Sequence, residues 1–322
     1  MICRVVAPID DTPAARAGIR SGDLITAIDG KPISAEDGME PLRGAPGSRI
    51  VLTILRDGTP KPFDVTLVRD TIRITSVRSR VLEPGYGYVR ISAFQTDTAA
   101  DFQKQLERLQ EGGALRGLVL DLRSNPGGLL LAAVQVADDL LDKGTIVSTR
   151  GRLPISDSKF DATPGDRLNG APVVVLVDAG SASASEVLAG ALRDNGRARV
   201  VGSRTFGKGS VQTVLPLDNG DSVKLTTARY YTPSGKSIQA SGIVPDVVVK
   251  PEDGTPDAIV GQDGQLYVTE ATLPGHLRGD EEGLAGYTPG DVLDGEAPVN
   301  AALAELKKLA VTARARPTAV PR

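Results

Sequence analysis

Two short stretches, LRGLVLDLR (115–123) and APVVVLVDAG (171–180), are apolar almost without interruption. A strand with one wet face alternates apolar and polar residues, so continuous runs of this kind belong to parallel strands buried on both faces. Each run leads into a helical pattern, GGLLLAAVQVADDLLDKG (127–144) and SASEVLAGALRDNG (183–196). A strand at YGYVRIS (86–92) precedes DTAADFQKQLERLQEGG (97–113), whose stripe of Phe102, Leu106 and Leu109 predicts a helix ending at Gly112-Gly113. ARVVGS (198–203) reads as one more strand, and SVQTVLPLDNGDSVKLTTARYY (210–231) as a hairpin turning at Asn219-Gly220. Repeated β-α-β units predict an α/β core over residues 71–252. Sites in such sheets collect at the carboxyl ends of strands. Two glycine-rich turns fall there, RSNPGG and AGSASASE.

Residues 1–70 follow a different rule. CRVVAP is strand-like, and DDTPAARAGIRSGDLITAIDGKPI places Asp or Thr as an N-cap, Pro13 in a first turn and Gly18 near a helix end. DLITAIDGKPI and RIVLTILRDGTPKPFDVTLVRD alternate around Asp-Gly turns, which are hairpin signals. Residues 253–322 form a third region, rich in Gly, Pro and Asp as far as LPGHLRGDEEG. It closes on an expected helix at 300–313, NAALAELKKLAVTA.

Composition narrows the chemistry. The net charge is −3 with 24% charged residues, and no basic run offers a surface for nucleic acid. A single cysteine, Cys3, excludes an intrachain disulfide, and one Cys with one His makes a poor zinc site. No apolar run approaches the ~20 residues that span a bilayer. MICRVVAPID lacks the pattern of a signal peptide, so no leader is expected within this sequence.

The stretch GSASASE holds Ser181, Ser183 and Ser185 ahead of Glu186. Ser183-Ala-Ser-Glu186 fits a capping box, in which the glutamate reaches back to the serine amide. One of the hydroxyls is also a candidate nucleophile, and a serine is inert until a base takes its proton. The one histidine, His276, lies far away in LPGHLRG and reads as a surface residue. The alternative base is a lysine kept neutral by burial. Lys208 in RTFGKGSVQT is flanked by Gly207 and Gly209, which permit close backbone approach, with Phe206 as apolar cover. From spacing alone the simpler reading of Lys208 is a solvated surface residue. GSRTFGK also begins like a phosphate-binding loop, but Gly209 stands where Ser or Thr is needed and a β-rich run follows instead of a helix, which argues against a nucleotide site.

Two resemblances decide between these readings. TPAARAGIRSGDLITAIDGKPI, LRGAPGS and VLTILRDG resemble a PDZ domain, a module that adds extended peptides to a sheet edge. The glycine-rich carboxylate-binding loop of that family precedes the strand that CRVV resembles, so the resemblance implies a small PDZ domain lacking its first strand and that loop. LDLRSNPGGLL, SASASEVLAGALRDNGRARVVGSRTFGKGSVQT and YYTPSGKSIQASGIVPDVVV resemble the carboxyl-terminal processing proteases, serine peptidases of the tail-specific type. That resemblance implies a ClpP/crotonase-like α/β core, Ser183 as nucleophile, Lys208 as general base and Gln212 orienting the lysine. It implies an oxyanion hole from the backbone of Ala184 and of Gly127 or Gly128, and no metal or organic cofactor. Its partners would be protein or peptide substrates with exposed C-termini, together with a homo-oligomer or regulatory partner, in the bacterial cell envelope or periplasm. The alternative is a catalytically silent PDZ-containing peptide-binding or regulatory protein. An acyl-thioester enzyme of related fold would share the glycine-turn oxyanion hole but would not explain the PDZ stretch or the Ser-Lys pair.

Overall fold

The structure is a computed structural model that describes residues 3–6, 8, 12–33, 40–70, 75–219, 221–251, 269–280 and 290–315. Gly220 of the predicted hairpin turn and the Gly/Pro/Asp-rich residues 252–268 lie outside the described residues. The chain forms two compact units, residues 1–75 with 256–268 and residues 76–255 with 269–322.

The first unit holds β1 (Cys3–Arg4), α1 (Pro13–Arg16), β2 (Leu24–Ile28), β3 (Lys31–Pro32), β4 (Arg49–Leu55) and β5 (Phe63–Val68). Thr12 is the N-cap of α1, its hydroxyl accepting the Ala15 N–H at 3.4 Å, and Pro13 opens the helix. The strands run antiparallel in the order β1-β2-β4-β5, with β3 paired to β2. Asp29 and Gly30 turn β2 into β3 with φ of 48° and 75°, the left-handed pair that a tight hairpin needs. Alternation along β4 sends Ile50, Leu52 and Ile54 into a core shared with Ile19, Ile25 and Ile28.

The second unit begins with β6 (Val77–Glu83) and β7 (Tyr86–Ile91), followed by α2 (Thr98–Gln110), β8 (Gly117–Asp121) and α3 (Leu130–Asp138). Next come β9 (Thr145–Gly151), β10 (Ser158–Asp161), β11 (Val173–Val177), α4 (Ala184–Asp194) and β12 (Ala198–Gly202). It ends with β13 (Ser210–Pro216), β14 (Ser222–Tyr231), β15 (Val247–Val248) and α5 (Ala297–Ala315). A six-stranded sheet has the order β15-β12-β11-β8-β7-β6, parallel except for the β6–β7 hairpin.

The apolar runs are explained by what covers this sheet. Leu118, Leu120, Val173, Val175 and Val200 face one layer, with Phe102 and Leu106 of α2, Val136 of α3 and Leu188 of α4. Their neighbours Val119, Val174, Leu176 and Val201 face the other, with Val299, Ala302 and Leu306 of α5. Every residue of β8 and β11 is therefore buried. The closing helix is wider than the expected 300–313 and belongs to the same compact unit as the sheet that it covers.

A second sheet, β10-β9-β14-β13, is antiparallel. Periodicity does not mark β6, β9 or β10. β6 and β10 are edge strands, and β9 is fixed by pairing with β14, some 80 residues later, where Thr149 lies opposite Tyr230. No helix among the described residues is long and apolar enough to cross a membrane.

Leu306 is fully buried and lies over Gly117 of β8. Leu306→Ala should lower unfolding free energy by about 2–5 kcal/mol, read as a shifted urea midpoint with unchanged slope. An unshifted midpoint would mean that α5 is not an integral layer of the core.

Candidate active site

Three neighbouring parallel strands, β8, β11 and β12, end side by side, and each opens into one of the turns singled out in the sequence. β11 leads through Asp178–Ala182 to Ser183 at the start of α4. Ser183 has φ 55° and ψ −113°, a conformation that a non-glycine residue keeps only when its surroundings hold it there. The three serines then separate by environment. Ser181 and Ser185 are fully buried, their hydroxyls donating to Leu122 O at 2.8 Å and Asn125 O at 2.9 Å. Ser183 is partly exposed.

The turn after β8 packs directly against this one. Ala182 N–H donates to Asn125 O at 2.9 Å, and Asn125, itself fully buried, donates its side-chain amide to Ile91 O. Gly127 and Gly128 have φ of 98° and 135°. A Cβ on Gly127 would lie 2.7 Å from Ala182 O and 2.9 Å from Ser183 Cβ, and one on Gly128 would lie 2.1 Å from Phe94 O. Only glycine permits this approach. The two candidate oxyanion donors differ in this turn. Gly127 N–H is engaged by Asn125 Oδ1 at 2.9 Å, as an Asx turn. Among the described residues, Gly128 N–H and Ala184 N–H have no hydrogen-bond partner. Pro126, between Asn125 and Gly127, has no N–H to offer.

The third turn follows β12 and carries Lys208. Gly209 lies so close to the segment 238–239 that a Cβ would meet Gln239 N at 2.2 Å, and its N–H donates to Gln239 Oε1 at 3.1 Å. The chain then enters β13, a strand, so this loop does not lead into a helix as a phosphate-binding loop does.

Glu186 joins the turn of Ser183 to the loop of Lys208. Its side chain is fully buried at the first turn of α4. Oε2 accepts the N–H of Ser183 at 2.7 Å and the N–H of Lys208 at 2.9 Å. Oε1 accepts the N–H of Gly207 at 2.7 Å and the hydroxyl of Thr205 at 2.5 Å. The capping pattern anticipates only the first of these bonds. The other three could be suspected only from the apolar residues that follow Glu186 in EVLAGAL, which mark this face of the helix as buried. Burial pushes the Glu186 carboxyl up to about 7, against the four donors, which favour its ionised form.

The backbones of Ser183 and Lys208 therefore meet at one carboxylate oxygen. The Lys208 side chain is half-buried and Gln212 is exposed on β13. Among the described residues no hydrogen bond joins Ser183 Oγ to Lys208 Nζ, or Lys208 to Gln212. Such contacts commonly close only when substrate is bound. His276 is bonded through Nδ1 to Leu273 O of its own turn, at 2.9 Å.

Residues from the far end of the chain complete the site's support. The buried Asp178 carboxylate accepts N–H groups from Ser124 at 2.7 Å, Gly180 at 3.0 Å and Leu293 at 3.2 Å. Arg123 is paired with the fully buried Asp121 at 2.7 Å and also donates to the carbonyls of Leu293 and Gly295. Ala179 N–H donates to Asp291 O.

Comparison with known proteins gives the family of this chain. Residues 85–249 match Peptidase family S41, and residues 4–56 match a PDZ domain. A carboxy-terminal-processing protease of Bartonella bacilliformis is 47% identical over 91% of this chain and 69% of its own length. A carboxyl-terminal-processing protease of Picosynechococcus is 41% identical over 84% of this chain and 66% of its own. Among solved structures, a photosystem II D1 C-terminal processing protease is 38% identical, with a TM-score of 0.67 over 77% of this chain and 68% of that one. The chain thus spans about two thirds of the length of these relatives. With the matched profile, the shared fold and three turns converging on Ser183, this chain belongs to peptidase family S41, the serine peptidases that include the carboxyl-terminal processing proteases.

Proposed function

We propose that this chain is a serine endopeptidase that cleaves protein substrates near their C-termini, with Ser183 as nucleophile and Lys208 as general base. The observation that carries the reading is the single Glu186 oxygen shared by the Ser183 and Lys208 amides, which ties the two backbones together. The Lys208 amine, in its neutral form, takes the Ser183 hydroxyl proton as Oγ bonds to the scissile carbonyl carbon. The N–H groups of Gly128 and Ala184, both without a hydrogen-bond partner among the described residues, receive the developing oxyanion, with the N-terminal end of α4 adding its positive dipole. Gly127, whose amide is already occupied, shapes the turn instead of donating. The C–N bond then breaks, and the proton held by Lys208 passes to the leaving amine. Water attacks the resulting acyl-enzyme, gives a proton to Lys208 and releases the acid, and Lys208 returns a proton to Ser183. Gln212, four residues beyond Lys208 on β13, is assigned to orienting the lysine once substrate is bound.

The domain plan assigns residues 1–70 to peptide capture and 71–252 to cleavage, with 253–322 as an extension whose last helix covers the catalytic sheet. In the first unit, β1 pairs only with β2 among the described residues, and a cavity of about 590 Å³ opens beside it, lined by Val5, Ile19, Leu52 and Leu67. A short strand beside an apolar cavity suits an extended peptide. The bacterial cell envelope or periplasm, the setting that the family resemblance implies, is part of the same proposal.

An unstructured reporter protein with varied C-terminal residues tests the reading. Ser183→Ala and Lys208→Ala should each lower kcat by about a thousandfold or more while leaving the fold intact. Equal cleavage by all three proteins sinks the proposal, and undiminished peptide binding without any cleavage by the unmodified chain would make it a binding protein.

Glu186 gives a pH test with two opposite signs. Its folded carboxyl titrates near 7, above the ordinary 4.5, so between those values the folded state holds a proton that the unfolded state has lost. Stability should therefore fall as pH rises from about 4.5 to 7. The four-donor arrangement needs the ionised carboxylate, so kcat should rise through about pH 7. Glu186→Gln should remove this slope in stability and lower kcat more than it changes KM. An unchanged kcat in that variant would show that the shared oxygen does not position the pair.

A further inference from the structure

One face of the second sheet carries a charge pattern that catalysis does not use. Arg150 on β9 stands directly opposite Arg229 on β14. Like charges in that relation repel, and a sheet keeps them only where something offsets the repulsion. Arg152 follows at the end of the same strand region, exposed and with no ion pair among the described residues. Asp280 answers Arg229 at 2.5 Å. Asp157, the other acid nearby, accepts the Gly151 N–H. Arg150 lies with its guanidinium carbon 4.6 Å from the Tyr231 ring centre. Stacking of this kind fixes the plane of the fork and leaves its N–H edge open to a carboxylate.

Arg150, Arg152, Arg229 and Tyr231 line a cavity of about 750 Å³, together with Leu153 and Leu277. The cavity borders the loop of Lys208. Ser210, two residues on, is the ladder partner of Arg229, and Gly209 O accepts the Tyr230 N–H at 2.8 Å. Two residues of strand span about 7 Å, the reach of a short piece of bound polypeptide.

We infer that the cavity between β9 and β14 is a substrate subsite in which Arg150 and Arg152 receive a carboxylate of the bound polypeptide, within a few residues of the cleaved bond. The inference rests on the protease reading above and deepens it. The carboxylate has two sources, an acidic side chain or the free C-terminus. Apolar contact from Leu153 and Leu277 accommodates the rest of the residue, and Asp280 keeps Arg229 from competing for the same group.

Reporter peptides settle both the subsite and the source. Each is made with Glu or Gln at successive positions on either side of the cleaved bond, and with a free or amidated C-terminus. Binding to Ser183→Ala protein is followed by fluorescence anisotropy, alongside cleavage by the unmodified chain. The expected result is binding at least about tenfold tighter for one carboxylate-bearing series, the size of one charge-assisted hydrogen bond. Arg152→Glu should abolish that preference and favour the matching Lys peptide, and Arg150→Gln should weaken it with no such reversal. A preference confined to the Glu series names a side chain, and one confined to the free terminus names the end of the chain. No carboxylate preference in binding, or a preference that both arginine variants leave intact, overturns the subsite. Because binding is read without turnover, failure of cleavage alone would count against the protease and leave the subsite decided by anisotropy.

Discussion

A single buried carboxylate ties the turn of Ser183 to the loop of Lys208. Glu186 has no cation among its hydrogen-bond partners. It is stabilised by four donors, three of them backbone amides of the residues that it must position. A buried charge of this sort is costly unless every lone pair is satisfied. The cost is offset only when the turn of Ser183 and the loop of Lys208 are both in place, so the group acts as a geometric lock. The strained backbone of Ser183 follows from the same lock, since its N–H is held by Glu186 while Asn125 holds its neighbours Ala182 and Ser185.

The sheet beneath supplies the second constraint. Neighbouring parallel strands end side by side, so the turns carrying Gly127, Ser183 and Lys208, 25 to 81 residues apart in sequence, emerge as neighbours. Both faces of β8 and β11 are sealed by helices, which leaves the carboxyl ends as the place where polar backbone can gather. The glycines at 127, 128 and 209 then permit contacts closer than any side chain would allow.

Much of this was legible in the sequence. The uninterrupted apolar runs at 115–123 and 171–180 identify β8 and β11, and the Phe102, Leu106 and Leu109 stripe identifies α2. The Ser-Ala-Ser-Glu pattern locates the start of α4 and one bond of Glu186. What escaped sequence reasoning depends on partners far along the chain. β9 has no signal of its own because β14 fixes it, and with it went the arginines at 150 and 152. The choice between Gly127 and Gly128 could not be made from the motif either. It turns on the orientation of the Asn125 side chain, which claims one amide and leaves the other.

The bonds from residues 291–295 to Asp178, Ala179 and Arg123 have a temporal consequence. Chains are made from the N-terminus, and the turn of Ser183 is synthesised more than a hundred residues before the segment that finishes its hydrogen bonding. Until that segment arrives, Asp178 lacks one of its donors and Arg123 two of its acceptors. The bonds to Asp178 and Arg123 span 115 to 172 positions, and closing them is an entropic cost met late. The support of the Ser183 turn is therefore completed only after residues 291–295 have been made, long after the turn itself.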